Sequence, residues 1–247
     1  MTRQLIIREE TEDGFGRRPD RMRQCGLSQI GGRRLRLRTG QTISWSFAPM
    51  GSASGNLAAT LDVTDQTLST ALIIWIHGDD GDSNEEPTMP TVHGDANWLH
   101  VQMNDCITSS TAMLTNVLAE LREVVVLLSE TYSISLGHVY LASMGSGAAM
   151  ALRLLLIQPE DFLGIALFNA DLTAISKSIE VDHGLNHLRA MLANSVRSNS
   201  AVSEAISTGR FLRALGMRIT THLYLPGRYT QECLFGDLAE WINSVIG

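Results

Sequence analysis

Short apolar runs alternate with segments of helical periodicity along most of the chain after residue 70. The short runs predict buried strands at 71–76 (ALIIWI), 138–142 (HVYLA), 162–169 and 218–225, with a weaker candidate at 98–103. Apolar residues that recur every three or four positions predict helices at 109–129, 145–158 and 233–246. Strands that alternate with helices predict an α/β fold with a mostly parallel, doubly wound sheet and helices on both faces.

The residues before this alternating region have a different pattern. Polar and apolar residues alternate on both sides of Gly40 over 33–47, as in a β-hairpin, and 57–63 predicts another short strand. These strands are expected to form an antiparallel N-terminal edge of the sheet. We therefore predict one domain over 33–247, preceded by a loosely ordered, arginine-rich extension over 1–32. The segment 171–217 has no clear pattern, and 188–193 fits either a strand or a helix.

Charge and apolar content exclude several classes of function. The formal net charge is −7, and the ten arginines among the first 40 residues are accompanied by five acidic residues and almost no aromatic ones. This mixture does not favour binding to nucleic acid. No run of about 18 apolar residues could cross a membrane, and the N-terminus lacks the pattern of a secretory signal. We expect a cytoplasmic protein without an integral membrane segment.

No metal site or cofactor is expected from the sequence. Cys25, Cys106 and Cys233 lack the spacing of zinc ligands or of a disulfide framework. The acidic segment DDGDSNEE does not fit a calcium loop, since a template that begins at Asp80 places Glu85 where glycine is required. His183 and His187 could share a helix face, but no third ligand is evident.

The segment HVYLASMGSGAAMAL contains the most informative candidate for chemistry. A buried strand meets Ser143 and is followed by small residues that open a helix, as in the nucleophile elbow of serine hydrolases. Gly145 supplies one of the two small positions of that motif, while Leu141 stands at the other. Ser143 could instead be a helix cap. Ser146 would compete as the nucleophile if the strand ran three residues further.

A second candidate segment is ALIIWIHGDDGD, in which a buried strand ends in His77 and Gly78. A loop in this position can supply a backbone N–H to an oxyanion hole, together with the N–H of the residue after the nucleophile. If Ser143 is the nucleophile, the two donors would be the N–H groups of Asp79 and Met144. His77 and Gly78 would line the site.

These segments resemble the acyl-protein thioesterase and phospholipase/carboxylesterase group of the α/β-hydrolase superfamily. The resemblance lies in IIWIHGDDGD, in VYLASMGSGAAMAL with LGIALFNA, and in residues 222–246. It implies an α/β-hydrolase fold, Ser143 as the nucleophile, and an aspartate and a histidine after the last two strands. No acidic residue lies between His183 and Ser203, and Tyr229 stands where the histidine is expected.

Other residues could complete a triad. His222 lies in the last predicted strand and Asp171 follows the strand at 162–169, so the chain order serine, aspartate, histidine is kept. The sequence thus predicts a serine-dependent hydrolase of carboxylic esters or thioesters, acting on a small-molecule ester or an acylated protein. The alternative is a catalytically degenerate α/β-hydrolase that binds a ligand or partner, with Tyr229 in the place of the histidine.

Overall fold

The computed structural model describes residues 4–10, 23–26, 42–47, 57–62, 71–78, 96–102, 111–132, 135–170, 172, 175, 184–196, 199–225 and 231–246. The strands within these ranges are β1 (Gln4–Glu10), β2 (Arg23–Gly26), β3 (Thr42–Phe47), β4 (Leu57–Asp62), β5 (Ala71–His77), β6 (Ala96–Gln102), β7 (Val139–Met144), β8 (Gly164–Phe168), β9 (Arg189–Ser195) and β10 (Arg218–Tyr224). The α-helices whose bounds fall within these ranges are α1 (Thr111–Tyr132), α2 (Gly147–Ile157), α3 (Asn199–Ala214) and α4 (Gln231–Ile246), and a short 3-10 helix spans Pro159–Asp161.

The described strands form one sheet in the order β10-β9-β8-β7-β5-β6-β4-β3-β1-β2. The half from β10 to β6 is parallel, whereas β4, β3, β1 and β2 pair antiparallel. The predicted α/β class with a mostly parallel sheet and an antiparallel N-terminal edge is confirmed. Among the described residues, no helix combines the length and the apolar character needed to span a membrane.

Helices cover both faces of the parallel half. Side chains on one face of the strands pack with α1, α2 and α3 in a core that includes Ile74, Leu141 and Leu167. Side chains on the other face pack with α4 in a core that includes Trp75 and Phe168. Because successive strand residues point to opposite faces, the side chains along each strand join the two cores alternately.

Several elements differ from the prediction. Strands β1 and β2 lie within the segment predicted as a loosely ordered extension, and β1 pairs with β3. The first strand of the predicted hairpin at 33–47 lies outside the described residues. The segment predicted as either strand or helix at 188–193 belongs to strand β9, and helix α3 was not predicted. Strand β7 continues to Met144, two residues beyond its predicted end, and this extension changes the site.

Candidate functional site

The turn between strand β7 and helix α2 consists of Gly145 and Ser146. Gly145 has a φ of 59°, in the left-handed region that favours glycine. Its N–H donates to the carbonyl of Phe168 at 2.9 Å, which attaches the turn to the end of β8. A strand that ends in a left-handed residue and leads directly into a helix is the geometry of a nucleophile elbow. The residue at the apex of this elbow is Gly145.

Ser143 does not occupy the position that the sequence predicted. It lies within β7, two residues before the apex, and it is fully buried. Its hydroxyl donates a hydrogen bond of 2.7 Å to the carbonyl oxygen of Ile76 on β5. The prediction that Ser143 is exposed on the turn is therefore wrong, because the strand extends past Ala142 and carries the serine into the sheet.

The extension of β7 also changes which backbone N–H groups could form an oxyanion hole. Met144 is the last residue of β7 and not the residue after the apex, so the donor position after the apex belongs to Ser146. Ser146 is partly buried, at the N-cap position of helix α2, and it makes no side-chain cap hydrogen bond there. Asp79, the other predicted donor, lies outside the described residues.

Gly78 packs directly against the turn. A Cβ on Gly78 would overlap the hydroxyl of Ser146 and would lie 2.5 Å from the backbone nitrogen of Gly147. A Cβ on Gly147 would lie 2.5 Å from the Ser143 hydroxyl oxygen. Only glycine allows the end of β5 and the start of α2 to approach this closely. The loop after β5 and the elbow thus meet at the carboxyl edge of the sheet.

His77 is the last residue of β5 and lies at the same edge of the sheet, on the face that packs against α4. Its Nε2 lies 3.2 Å from Nδ1 of His100 on β6, and the His100 ring stacks on Trp98. Burial, and to a smaller degree the neighbouring His77, lowers the pKa of His100 to about 3. His100 is therefore neutral at physiological pH, and this pair of imidazoles is part of the aromatic packing beneath the site. The sequence did not single out His100, because its burial depends on the pairing of β6 between β5 and β4.

His222 lies far from the turn. The register aligns Met144 with Phe168, Phe168 with Ala193, and Ala193 with His222, so three strand spacings, about 14 Å, separate β7 from β10. His222 also projects on the α4 face, where its Nδ1 lies 3.2 Å from a carboxylate oxygen of Asp237. Ser143 points to the opposite face, next to Gly147. A hydrogen bond between Ser143 and His222, which the predicted triad requires, is therefore excluded by this geometry.

The remaining predicted site residues are not in the described part of the chain. Asp171 and Tyr229 fall in gaps between the described ranges. Asn169, which precedes Asp171, has a φ of 48°, and its side-chain carbonyl accepts the N–H of Ser195 at 2.8 Å. This contact joins the carboxyl ends of β8 and β9 beside the turn. Within the described ranges, no group of three or more His, Cys, Asp or Glu side chains could hold a metal ion.

Comparison with known proteins identifies the fold. No family model matches the chain, and no curated protein matches it. Est1E from Butyrivibrio proteoclasticus is similar in structure, with a TM-score of 0.59 at 12% identity over 84% of this chain and 99% of that chain. An S-formylglutathione hydrolase from Agrobacterium tumefaciens has a TM-score of 0.55 at 12% identity, over 84% of this chain and 96% of that one.

A carboxylesterase from Bacillus cereus has the same TM-score of 0.55 at 15% identity, over 76% of this chain and 94% of that one. Two of these three proteins are thus a hydrolase and an esterase by name. At such low identity the similarity is one of fold alone. The chain therefore has the fold of the α/β-hydrolase superfamily, as the sequence predicted.

Proposed function

We propose that this protein is a catalytically degenerate α/β-hydrolase that acts as a ligand- or partner-binding module. The observation that carries the proposal is Gly145 at the apex of the elbow, where a nucleophilic side chain would have to stand. A glycine at this position offers no hydroxyl or thiol for covalent catalysis. The turn keeps the shape of the elbow without its reacting group.

The surroundings of Ser143 support the same conclusion. A nucleophilic serine needs a general base to accept its proton, and the Ser143 hydroxyl donates instead to the Ile76 carbonyl, which is not a base at neutral pH. The serine oxygen is also sealed beneath Gly147. A substrate carbonyl could reach it only after the contact between β5 and α2 had opened.

The position of His222 also argues against catalysis, because it is too far from Ser143 to act as its general base. Its imidazole is oriented by Asp237 on α4, three strands from the turn. The absence of any acidic residue between His183 and Ser203, together with Tyr229 at the expected histidine position, supports loss of the triad. Loss of triad members lowers hydrolase activity by several orders of magnitude.

The binding surface would be the carboxyl edge of the sheet around Gly145, Gly78 and His77. Ligands of wound α/β sheets bind at this edge, and the missing side chain at Gly145 leaves additional space there. By analogy of fold, the ligand class would be the small-molecule esters or acylated proteins expected from the sequence, held without cleavage.

A second candidate is a serine hydrolase that uses Ser146. The observation that favours it is the position of Ser146 on the turn itself, at the start of α2 and against Gly78. The N-terminal end of a helix stabilises negative charge that develops nearby. This candidate retains the predicted reaction on carboxylic esters or thioesters and changes only the nucleophile.

Labelling with a fluorophosphonate and turnover of a short-chain nitrophenyl ester test these candidates. The variants are Ser143→Ala and Ser146→Ala, and an active serine esterase is the positive control. We expect neither labelling nor turnover by the wild-type protein. Labelling that Ser146→Ala abolishes would replace the first candidate by the second. Labelling that Ser143→Ala abolishes in folded protein would overturn both.

Binding is tested separately with the same nitrophenyl ester as an uncleaved ligand. A ligand that binds only the folded state raises the midpoint of thermal unfolding, and the rise grows with the logarithm of the ratio of ligand concentration to Kd. We expect this rise in the wild-type protein and its loss in Gly145→Leu, whose side chain fills the space at the apex. Val126→Leu, an exposed site on α1, is the control. No rise in the wild-type protein, or a rise that Gly145→Leu retains, would argue against this binding surface.

A further inference from the structure

Strand β10 is the outermost strand on the parallel side of the described sheet. We infer that it pairs antiparallel with β10 of a second copy of the chain. A two-fold axis then relates the two copies, and their sheets form one continuous sheet. β10 is hydrogen-bonded to β9 on one side only, within the part of the chain that the structure describes. This inference concerns association of the chain and does not depend on what binds near Gly145.

The hydrogen bonds to β9 identify the backbone groups that face outward. The N–H of Arg218 donates to Leu188, and the carbonyl of Tyr224 accepts the N–H of Val196. In a parallel pair, alternate residues direct both backbone groups to the same neighbour, so the even-numbered residues of β10 face β9. The N–H and C=O groups of Ile219, Thr221 and Leu223 therefore point away from the sheet, in position to accept another strand.

The exposed side chains favour such pairing. Leu223 is 50% exposed and Leu225, which follows the strand, is 64% exposed. Edge strands that must remain single are commonly protected by lysine, proline or inward-pointing charge. The only residue among Lys, Arg, Asp and Glu in β10 is Arg218, at its first position. The side of β10 that faces away from β9 thus combines backbone groups that pair with no other described strand and exposed leucine side chains.

Symmetry restricts the possible registers. A two-fold axis perpendicular to the sheet keeps each face on its own side, so odd residues must pair with odd residues. An axis at Thr221 pairs Ile219 with Leu223 of the second copy, and each outward backbone group then meets a partner. An axis at His222 would oppose two imidazoles at close range, and an axis at Thr220 would oppose Arg218 and His222. The register centred on Thr221 avoids both of these side-chain pairs and places Arg218 opposite Tyr224 instead.

Charge complementarity makes a second copy of this chain the preferred occupant. In the register centred on Thr221, Arg218 lies opposite Tyr224 of the second copy, on the α4 face. The hydroxyl of Tyr224 donates to Asp237, so the exposed guanidinium of Arg218 would approach both an aromatic ring and a carboxylate. The two-fold axis forms this contact twice. The two Arg218 side chains lie at opposite ends of the paired strands.

Disulfide trapping of the full-length chain tests the register directly. Hydrogen-bonded antiparallel residues have Cα atoms about 5.5 Å apart, within the range that a disulfide spans. Thr221→Cys is therefore expected to form a 221–221 cross-link on mild oxidation, identified by mass spectrometry. Thr220→Cys is the matched control, because its two copies would be diagonal neighbours about 7–8 Å apart. Cross-linking at 220 and not at 221 would overturn the proposed register.

Light scattering coupled to size exclusion tests the association itself. We expect the wild-type chain to be a dimer. Leu223→Lys should convert it to a monomer, because a lysine on an edge strand opposes pairing with a second strand. Val126→Lys introduces the same charge at an exposed apolar position on α1 and should remain dimeric. Circular dichroism checks that each variant is folded. Arg218→Glu is a second variant that should weaken the dimer without abolishing it, because it removes only the contact of Arg218 with Tyr224 and Asp237 of the second copy. A wild-type monomer, or a dimer that neither β10 variant weakens, overturns the inference.

Discussion

Gly147 lies so close to Ser143 that a Cβ at position 147 would sit 2.5 Å from the Ser143 hydroxyl oxygen and 2.8 Å from both the Gly78 nitrogen and the Ile76 carbonyl oxygen. Two of these three neighbours are backbone atoms and cannot rotate away. We therefore expect Gly147→Ala to lower the free energy of unfolding by roughly 1–3 kcal/mol, the usual cost of overpacking a buried site. Urea denaturation of the purified variant measures this loss.

Gly236 is the matched control for that substitution. It lies on helix α4, it is exposed, and a Cβ there meets nothing within 4 Å. Alanine at an unhindered helical glycine is expected to raise the free energy of unfolding by about 0.5–1 kcal/mol. Equal effects of Gly147→Ala and Gly236→Ala would show that the close approach at the turn has no energetic consequence.

The apex of the turn provides a test of backbone strain. Because Gly145 has a φ of 59°, an alanine there must adopt a left-handed conformation that costs about 1–2 kcal/mol. Asparagine tolerates this region better than alanine does. We expect Gly145→Ala to lower the unfolding free energy more than Gly145→Asn, as measured by denaturant titration. The reverse order would mean that side-chain crowding dominates over strain.

The buried His100 makes stability depend on pH. Its pKa falls from the ordinary value of 6.5 to about 3 in the folded state, since burial and then His77 disfavour the charged ring. The stability held by the neutral ring is complete above pH 6.5 and is lost as the pH falls toward 3. We expect a loss of roughly 2 kcal/mol between about pH 6.5 and about pH 5, measured by urea unfolding.

The variant His100→Gln isolates this contribution, since a neutral amide can still bond to His77. Its unfolding free energy should change less over the same pH range than that of the wild-type protein. His187→Gln, which removes an exposed histidine, serves as the control and should retain the wild-type pH dependence. If His100→Gln keeps the full dependence, the acid sensitivity arises from other groups.

The hydroxyl of Tyr140 is buried, and it finds no hydrogen-bond partner in the described part of the chain. Burial raises the pKa of this phenol to about 12, against an opposing influence of Arg189. Removing an unsatisfied buried hydroxyl relieves a desolvation cost, so Tyr140→Phe should raise the unfolding free energy by roughly 1 kcal/mol. Thermal and urea unfolding measure the change.

Tyr224→Phe is the comparison variant, and its unfolding free energy is expected to change in the opposite direction. Its hydroxyl donates to Asp237, and loss of a hydrogen bond to a charged acceptor should lower the unfolding free energy by about 1–2 kcal/mol. A stabilising Tyr224→Phe or a destabilising Tyr140→Phe would contradict the two environments described.

The sheet was predictable because its parallel strands are short apolar runs buried on both faces, and this pattern is visible without knowledge of the partners. The residues at which these strands end could not be predicted from the apolar pattern, because polar or small residues can continue a strand. Strand β7 continues through Ser143 and Met144, and a two-residue extension moves the serine from the turn into the sheet. The pattern Ser143-Met144-Gly145-Ser146-Gly147, with small residues at alternate positions, was the available signal for an apex at Gly145.

Partners that depend on tertiary packing were also missed. The sequence predicts His222 in the last strand, where it lies, but its contact with Asp237 depends on which face α4 covers. Helix α3 escaped notice because polar residues and Gly209 interrupt its apolar spacing. Neither feature can be derived from local periodicity, since both are determined by elements that pack from elsewhere in the chain.

The order of strands has a consequence for biosynthesis. β5 lies between β6 and β7, and the hydrogen bond from Ser143 to Ile76 joins residues 67 positions apart. During translation one edge of β5 therefore stays without its strand until the chain through Met144 has left the ribosome. The contact between Gly78 and the elbow belongs to the late stages of assembly, and a nascent chain stalled before β7 would expose an apolar edge to chaperones or to aggregation.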